Sequence, residues 1–104
     1  MVTRVPIACT LDEAAFRERK DGLLADLARR AVGRSETEAG FAFQYAAEDA
    51  PFDEITRVID LERRCCPFLR FRLTVEPAAG PVSLELSGPA GSKAFLRGIL
   101  GLDP

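Results

Sequence analysis

The stretch that decides the fold is residues 69–87, LRFRLTVEPAAGPVSLELS. Apolar and polar residues alternate through it on both sides of a proline- and glycine-containing turn at residues 77–80. Strict alternation of this kind predicts two antiparallel strands with one buried face. We therefore expect Arg70 and Arg72 on the outer face of the sheet. The inner face, which the helices cover, should be lined by Leu69, Phe71, Leu73, Val75, Val82, Leu84 and Leu86.

The periodicity of the remaining sequence predicts further strands and three amphipathic helices. The expected elements are a strand over residues 3–9, a helix capped by Thr10 that stops near Gly33, a polar loop over 34–40, a strand through Phe41, Phe43 and Tyr45, a helix from Pro51 to about Cys66, and a last helix capped by Ser92. The predicted order is β-α-β-α-β-β-α. It indicates one α+β domain over residues 1–104, a two-layer sandwich with a small, mostly antiparallel sheet and its helices on one face.

Composition excludes several classes of function. The chain has 104 residues, a net charge of −2, three cysteines and no histidine. Without histidine, a Ser-His-Asp or Cys-His mechanism within one chain is impossible. The weak negative charge argues against nucleic acid as a partner, and no apolar run is long enough to span a membrane. An odd number of cysteines and the lack of a secretory signal predict a cytoplasmic protein with reduced thiols.

The candidate site is the run Glu62-Arg63-Arg64-Cys65-Cys66-Pro67-Phe68. On a helix, Glu62 falls inside the apolar face, and the two cysteines lie three and four residues further along the same surface. A carboxylate placed there must find a partner or water, or take up a proton. Such a local conflict with the hydrophobic pattern often marks a functional site.

Cys9, at the end of the predicted first strand, is the third thiol. If that strand lies beside the strand that begins near Phe68, Cys9 approaches Cys65 and Cys66. Thiolates together with the Glu62 carboxylate suit a soft or borderline ion such as Hg²⁺, Zn²⁺ or Cu(I). Against a stable zinc site, the chain has no Cys-x-x-Cys spacing.

Each of these features also has a purely structural interpretation. Cysteine is among the most buried residue types, and Glu62 could form a hydrogen bond with Tyr45 or a lysine. Lys20, inside the apolar face of the first helix, either extends its ammonium group to solvent or pairs with Glu62 or a thiol. In the simpler interpretation, the arginines around the cysteines form cross-strand ion pairs at the surface, with Arg72 opposite Glu85. In the alternative interpretation, the same arginines bind an anion or nucleic acid.

Residues 62–73 resemble a group of small bacterial proteins that carry Glu-x-x-Cys-Cys-Pro-Phe followed by an alternating strand. The likeness extends from Ile7-Ala8-Cys9-Thr10 to Ser87-Gly88-Pro89. Because related proteins are associated with mercury and heavy-metal response, the resemblance implies binding of a thiophilic metal. It implies no catalytic role for any residue.

The first functional hypothesis is therefore a soft-metal-binding protein whose ligands are Cys65, Cys66, Cys9 and Glu62. Two alternatives remain open: a thiol-disulfide redox protein, and a structural or interaction domain whose cysteines are core residues. Whether the protein is an enzyme stays undecided between them. An exposed edge of the small sheet also offers a route to a homodimer.

Overall fold

The computed structural model describes the backbone of residues 14–102 and the side chains of residues 21–102. Over this range three helices and a four-stranded antiparallel sheet confirm the α+β class. The elements are α1 (Ala14–Arg29), β1 (Gly33–Glu36), β2 (Gly40–Tyr45), a 3-10 turn (Ala47–Asp49), α2 (Phe52–Cys65), β3 (Arg70–Val75), β4 (Val82–Ser87) and α3 (Ser92–Leu100). The predicted strand over 3–9 and the helix cap at Thr10 lie outside the described residues.

The strands are arranged in the order β1-β2-β4-β3, and every neighbouring pair is antiparallel. The hairpin predicted from residues 69–87 is confirmed as β3 and β4. Its register places Arg72 opposite Glu85, and their side chains form the predicted cross-strand ion pair at 3.6 Å.

The two central strands supply most of the buried sheet face. Side chains from β2 and β4 alternate between buried and half-buried, as the sequence pattern predicts. Helix α1 contacts both α2 and α3, and α3 also contacts β2. The core comprises Leu24, Leu27, Phe41, Phe43, Tyr45, Ile55, Val58, Cys65, Cys66, Phe68, Leu69, Val82, Leu84, Leu86, Leu96 and Leu100.

The prediction of a polar loop over residues 34–40 is wrong for residues 34–36. Residues 33–36 form β1, which pairs with β2 from Gly33 opposite Gln44 to Glu36 opposite Phe41. All but the first residue of this strand are exposed, so it lacks the apolar alternation that reveals a half-buried strand. Helix α1 accordingly ends earlier than Gly33, at Arg29.

The inner face of β3 is only partly covered. Arg70 and Arg72 are exposed as predicted, and Leu69 is buried, but Phe71 and Leu73 are half-buried. Val75 is 58% exposed, which contradicts its predicted place beneath the helices. The alternation therefore predicts the register correctly but overestimates how far the helices extend over this edge strand.

Two further residues depart from the helix predictions. Phe52, whose apolar side chain at helical spacing from Ile55 and Ile59 predicts burial, is 40% exposed because it is the first residue of α2, at the margin of the core. Ser92 does not cap α3. The cap position belongs to Gly91, which has a left-handed backbone (φ 98°), and Ser92 is the first helical residue.

Candidate functional site: the thiol end of helix α2

The helix that carries the cysteines ends where the sequence predicts. Cys65 is its last residue and Cys66 its C-cap, with φ −120° and ψ 74°. Pro67 disfavours helical geometry in the residue before it, which explains why the helix ends here. The N–H of Cys66 still donates to the carbonyl oxygen of Glu62 at 2.6 Å, and the carbonyl of Cys66 accepts from the N–H of Leu69 at 3.1 Å.

Glu62, Cys65 and Cys66 are all completely buried. Ile55, Val58, Glu62 and Cys65 form the buried face of α2 at spacings of three and four residues. The carboxylate therefore does lie within the apolar face. Burying an ionisable carboxyl group raises the free energy of the folded state unless polar partners compensate for the lost hydration. The burial of Glu62 therefore needs an explanation beyond core packing.

The two cysteines differ in chemical state. Cys65 is disulfide-bonded, whereas Cys66 carries a thiol. The sequence predicted reduced thiols, and the disulfide of Cys65 contradicts that expectation. A disulfide sulfur is not a thiolate ligand, so Cys65 is available to a metal ion only after reduction.

The predicted metal ligands are only partly within the described residues. Glu62, Cys65 and Cys66 share one end of α2, while Cys9 lies outside the described range. In the searched part of the chain, no three histidine, cysteine, aspartate or glutamate side chains are grouped so that they could hold a metal ion. A site made of Glu62, Cys65 and Cys66 alone is thus not preformed.

The segment that follows the cysteines packs against the start of α3. Phe68 meets Phe95 edge to face, with ring centroids 5.0 Å apart. The loop before α3 approaches so closely that a Cβ on Gly88 would lie 3.2 Å from the carbonyl oxygen of Phe68 and 2.4 Å from Oγ of Ser92. These contacts hold the end of α2 and the start of α3 together.

Ser92 is a buried polar residue that the sequence analysis placed incorrectly. It is fully buried, and its hydroxyl has no hydrogen-bond partner among the described residues. Its position after Gly91 in a turn made it resemble a helix cap, which would be exposed. No signal in the sequence distinguishes a serine that caps a helix from one that is buried against Gly88 of the preceding loop.

The charges flanking the cysteines pair with each other on the surface. Arg63 and Arg64 bind the Asp60 carboxylate at 2.8 Å and 3.0 Å. The hydrogen bond from Arg63, helped by the charge of Arg64, holds the pKa of the Asp60 carboxyl below its usual value. Both pairs lie within α2, and the predicted cross-strand pairing is shown by Arg72 and Glu85 instead.

The side chain of Lys20 lies outside the described side chains. The proposed bond between Glu62 and Tyr45 is not formed through the tyrosine proton, because the Tyr45 hydroxyl donates to the carbonyl oxygen of Leu27. Within the described residues, no helix is both long and apolar enough to cross a membrane.

Comparison of the chain with models of protein families, with curated proteins and with solved structures gives no match.

Proposed function

We propose that the protein is a thiol-disulfide redox protein whose reactive centre is the disulfide of Cys65. One observation carries the proposal: Cys65 is oxidised while the adjacent Cys66 keeps its thiol, at a helix end that also buries Glu62. A disulfide next to a thiol is the minimum arrangement for internal thiol-disulfide exchange.

The third cysteine of the chain is the proposed partner of Cys65. The sequence contains three cysteines, and Cys66 is a thiol, so an intramolecular bond of Cys65 requires Cys9. Reduction by an external dithiol would convert this bond into two thiols while the dithiol becomes a disulfide, so that atoms and electrons balance.

We further propose a cytoplasmic location, as the sequence predicts. Disulfides are rare in cytosolic proteins, and those that do form are usually transient and serve catalysis or redox sensing. A disulfide in a protein of that compartment therefore supports a redox role more strongly than a structural one.

The test is to count thiols and locate the disulfide. Protein oxidised in air and then denatured should show one reactive thiol per chain, and three after reduction. Peptide mass mapping should find Cys65 linked to Cys9. Cys66→Ser should keep the disulfide and remove the remaining thiol, whereas in Cys65→Ser any disulfide should link Cys66 to Cys9, as internal exchange requires.

The redox role also requires the bond to respond to physiological reductants. We expect oxidised and reduced forms to interconvert in dithiol buffers poised near the cytosolic potential. A disulfide that stays fully oxidised under those conditions would be structural, and the redox proposal would then be wrong.

Soft-metal binding is the second candidate, and the buried carboxylate favours it. Core cysteines alone do not explain why Glu62 lies fully buried on the helix face that ends in Cys65. In the reduced protein, the thiolates of Cys65, Cys66 and Cys9 would bind an ion such as Hg²⁺, with Glu62 as an additional oxygen ligand.

Native mass spectrometry with Hg²⁺ and Zn²⁺ tests this second candidate. Reduced protein should take up one ion and release protons, with uptake weakening at acidic pH because thiols must ionise. Cys66→Ser should abolish uptake and Glu62→Gln should weaken it. Asp60→Asn, which changes an exposed carboxylate on the same helix, is the matched control. Equal uptake by all four proteins would contradict the site.

A further inference from the structure

A cleft of about 490 Å³ lies between the second half of α1 and the first half of α2, at the other end of α2 from Cys65. All the residues that line it belong to the described part of the chain. The most buried of them are Leu23 and Val58, so the floor of the cleft is apolar. A concave site with an apolar floor and a few polar groups around it is typical of small-molecule binding.

Charged residues from both helices form the rim of this cleft. On α2, Glu54 lies three residues before Arg57 and four before Val58, so the three share one face of the helix. Asp26, Arg29 and Arg30 line the opposite wall, at the end of α1. Three arginines and two carboxylates give the rim a net charge of +1.

Four of these five charged side chains pair with each other. Arg29 pairs with Asp26 along α1, and Arg30 pairs with Glu54 across the cleft. The guanidinium of Arg57 forms no ion pair or hydrogen bond with the described residues. Arg57 is therefore the lining cation that can bind a ligand without breaking an existing pair.

We propose that the cleft binds a small carboxylate with an apolar body, whose carboxylate pairs with Arg57 while the body contacts Leu23 and Val58. A guanidinium presents two parallel N–H groups that match the two oxygens of a carboxylate. One bound negative charge neutralises the rim. A phosphate monoester fits less well, because its second negative charge would face the carboxylates of the rim.

Three probe molecules separate the contribution of the charge from that of the apolar body. Phenylacetate has both, phenylacetamide keeps the ring without the charge, and acetate keeps the charge without the ring. Because ligands of this size bind weakly, NMR titration of labelled protein is the suitable measurement. Phenylacetate should bind about tenfold more tightly than either control. Its amide shifts should be concentrated in residues 23–30 and 54–58.

Arg57→Gln should weaken phenylacetate binding about tenfold, because it removes the charge-assisted hydrogen bonds. Arg63→Gln, which changes an exposed arginine of the same helix that pairs with Asp60, is the matched control and should leave binding unchanged. Glu54→Gln should act in the opposite direction, because it removes a negative charge from the rim and leaves Arg30 without its carboxylate partner. A gain in affinity cannot result from misfolding.

The proposal is overturned if phenylacetate does not bind, or if phenylacetamide binds as tightly. Unchanged affinity in Arg57→Gln contradicts the role of the guanidinium, and lower affinity in Glu54→Gln contradicts the charge balance of the rim. Amide shifts concentrated outside the two helix segments would place the ligand elsewhere and also overturn it.

Discussion

The hydroxyl of Tyr45 donates a 2.7 Å hydrogen bond to the carbonyl oxygen of Leu27, and both residues are buried. The bond joins the last residue of β2 to the last turn of α1, where the Leu27 carbonyl oxygen also accepts from the N–H of Arg30 at 3.3 Å. It thus fixes the position of α1 against the centre of the sheet.

Tyr45→Phe should destabilise the protein because it leaves the Leu27 carbonyl without its tyrosine donor. We expect a loss of about 1–2 kcal/mol in the free energy of unfolding, measured by urea denaturation. The change removes one oxygen and leaves the ring in place, so it creates no large cavity. An unchanged urea midpoint would show that the hydrogen bond contributes nothing to stability.

The same tyrosine should make the protein sensitive to alkaline pH. Burial is the main cause that raises the pKa of Tyr45 from 10 to about 12. A pKa raised by folding gives stability that is complete below the unfolded value and is lost as pH rises through the folded value. We therefore expect stability to fall between about pH 10 and pH 12, and Tyr45→Phe to reduce this slope.

Ultraviolet absorbance measures this ionisation without interference, because the chain has one tyrosine and no tryptophan. The phenolate signal of the folded protein should titrate with a midpoint well above that of the protein in denaturant. Coincident midpoints would mean that the hydroxyl is solvated in the folded state.

Glu36 should give the opposite dependence at acidic pH. Its carboxylate binds Lys93 at 2.6 Å and Arg97 at 2.7 Å, joining β1 to α3. The hydrogen bond from Lys93 is the main cause that lowers the pKa of Glu36. Stability from this group is present above the unfolded pKa and lost as pH falls through the folded one.

Glu36→Gln should therefore lower stability at neutral pH and reduce the loss of stability on acidification. Thermal unfolding at a series of pH values measures both effects. Glu38→Gln, in the loop that follows β1, is the matched control. Parallel stability curves for Glu36→Gln and the original protein would contradict a role for this ion pair.

Strands and helices with one buried face were predictable from the sequence, because burial of one face makes apolar residues recur with the period of the strand or helix. Alternation located β3 and β4 and placed Arg72 opposite Glu85. The helical period placed Glu62 in the buried face of α2, and Pro67 marked the end of that helix. β1 was not predicted, because a strand whose residues are nearly all exposed has no alternation of apolar and polar residues.

The candidate site was predictable in location but not in chemical state. Spacing along α2 brings Glu62, Cys65 and Cys66 to one buried helix end, and the structure confirms that burial. Which cysteine is oxidised depends on distances between elements, which no local pattern contains. The burial of Ser92 likewise depends on how closely the loop at Gly88 approaches α3.

Gly40 should be the least replaceable of the described glycines. A Cβ at this position would lie 1.8 Å from the carbonyl oxygen of Leu86 and 2.8 Å from Cα of Ser87. Both contacts are with the backbone of β4, and Gly40 is paired with Ser87 in the central ladder. Neither strand can move aside without breaking that pairing.

We expect Gly40→Ala to destabilise the protein by about 2–4 kcal/mol, or to prevent folding, as measured by urea denaturation or soluble yield. Gly22→Ala is the matched control, because a Cβ there meets no described atom within 4 Å and the residue lies inside α1. That change should stabilise the helix by about 0.5–1 kcal/mol. Equal effects of the two substitutions would show that β2 and β4 do not approach each other so closely at Gly40.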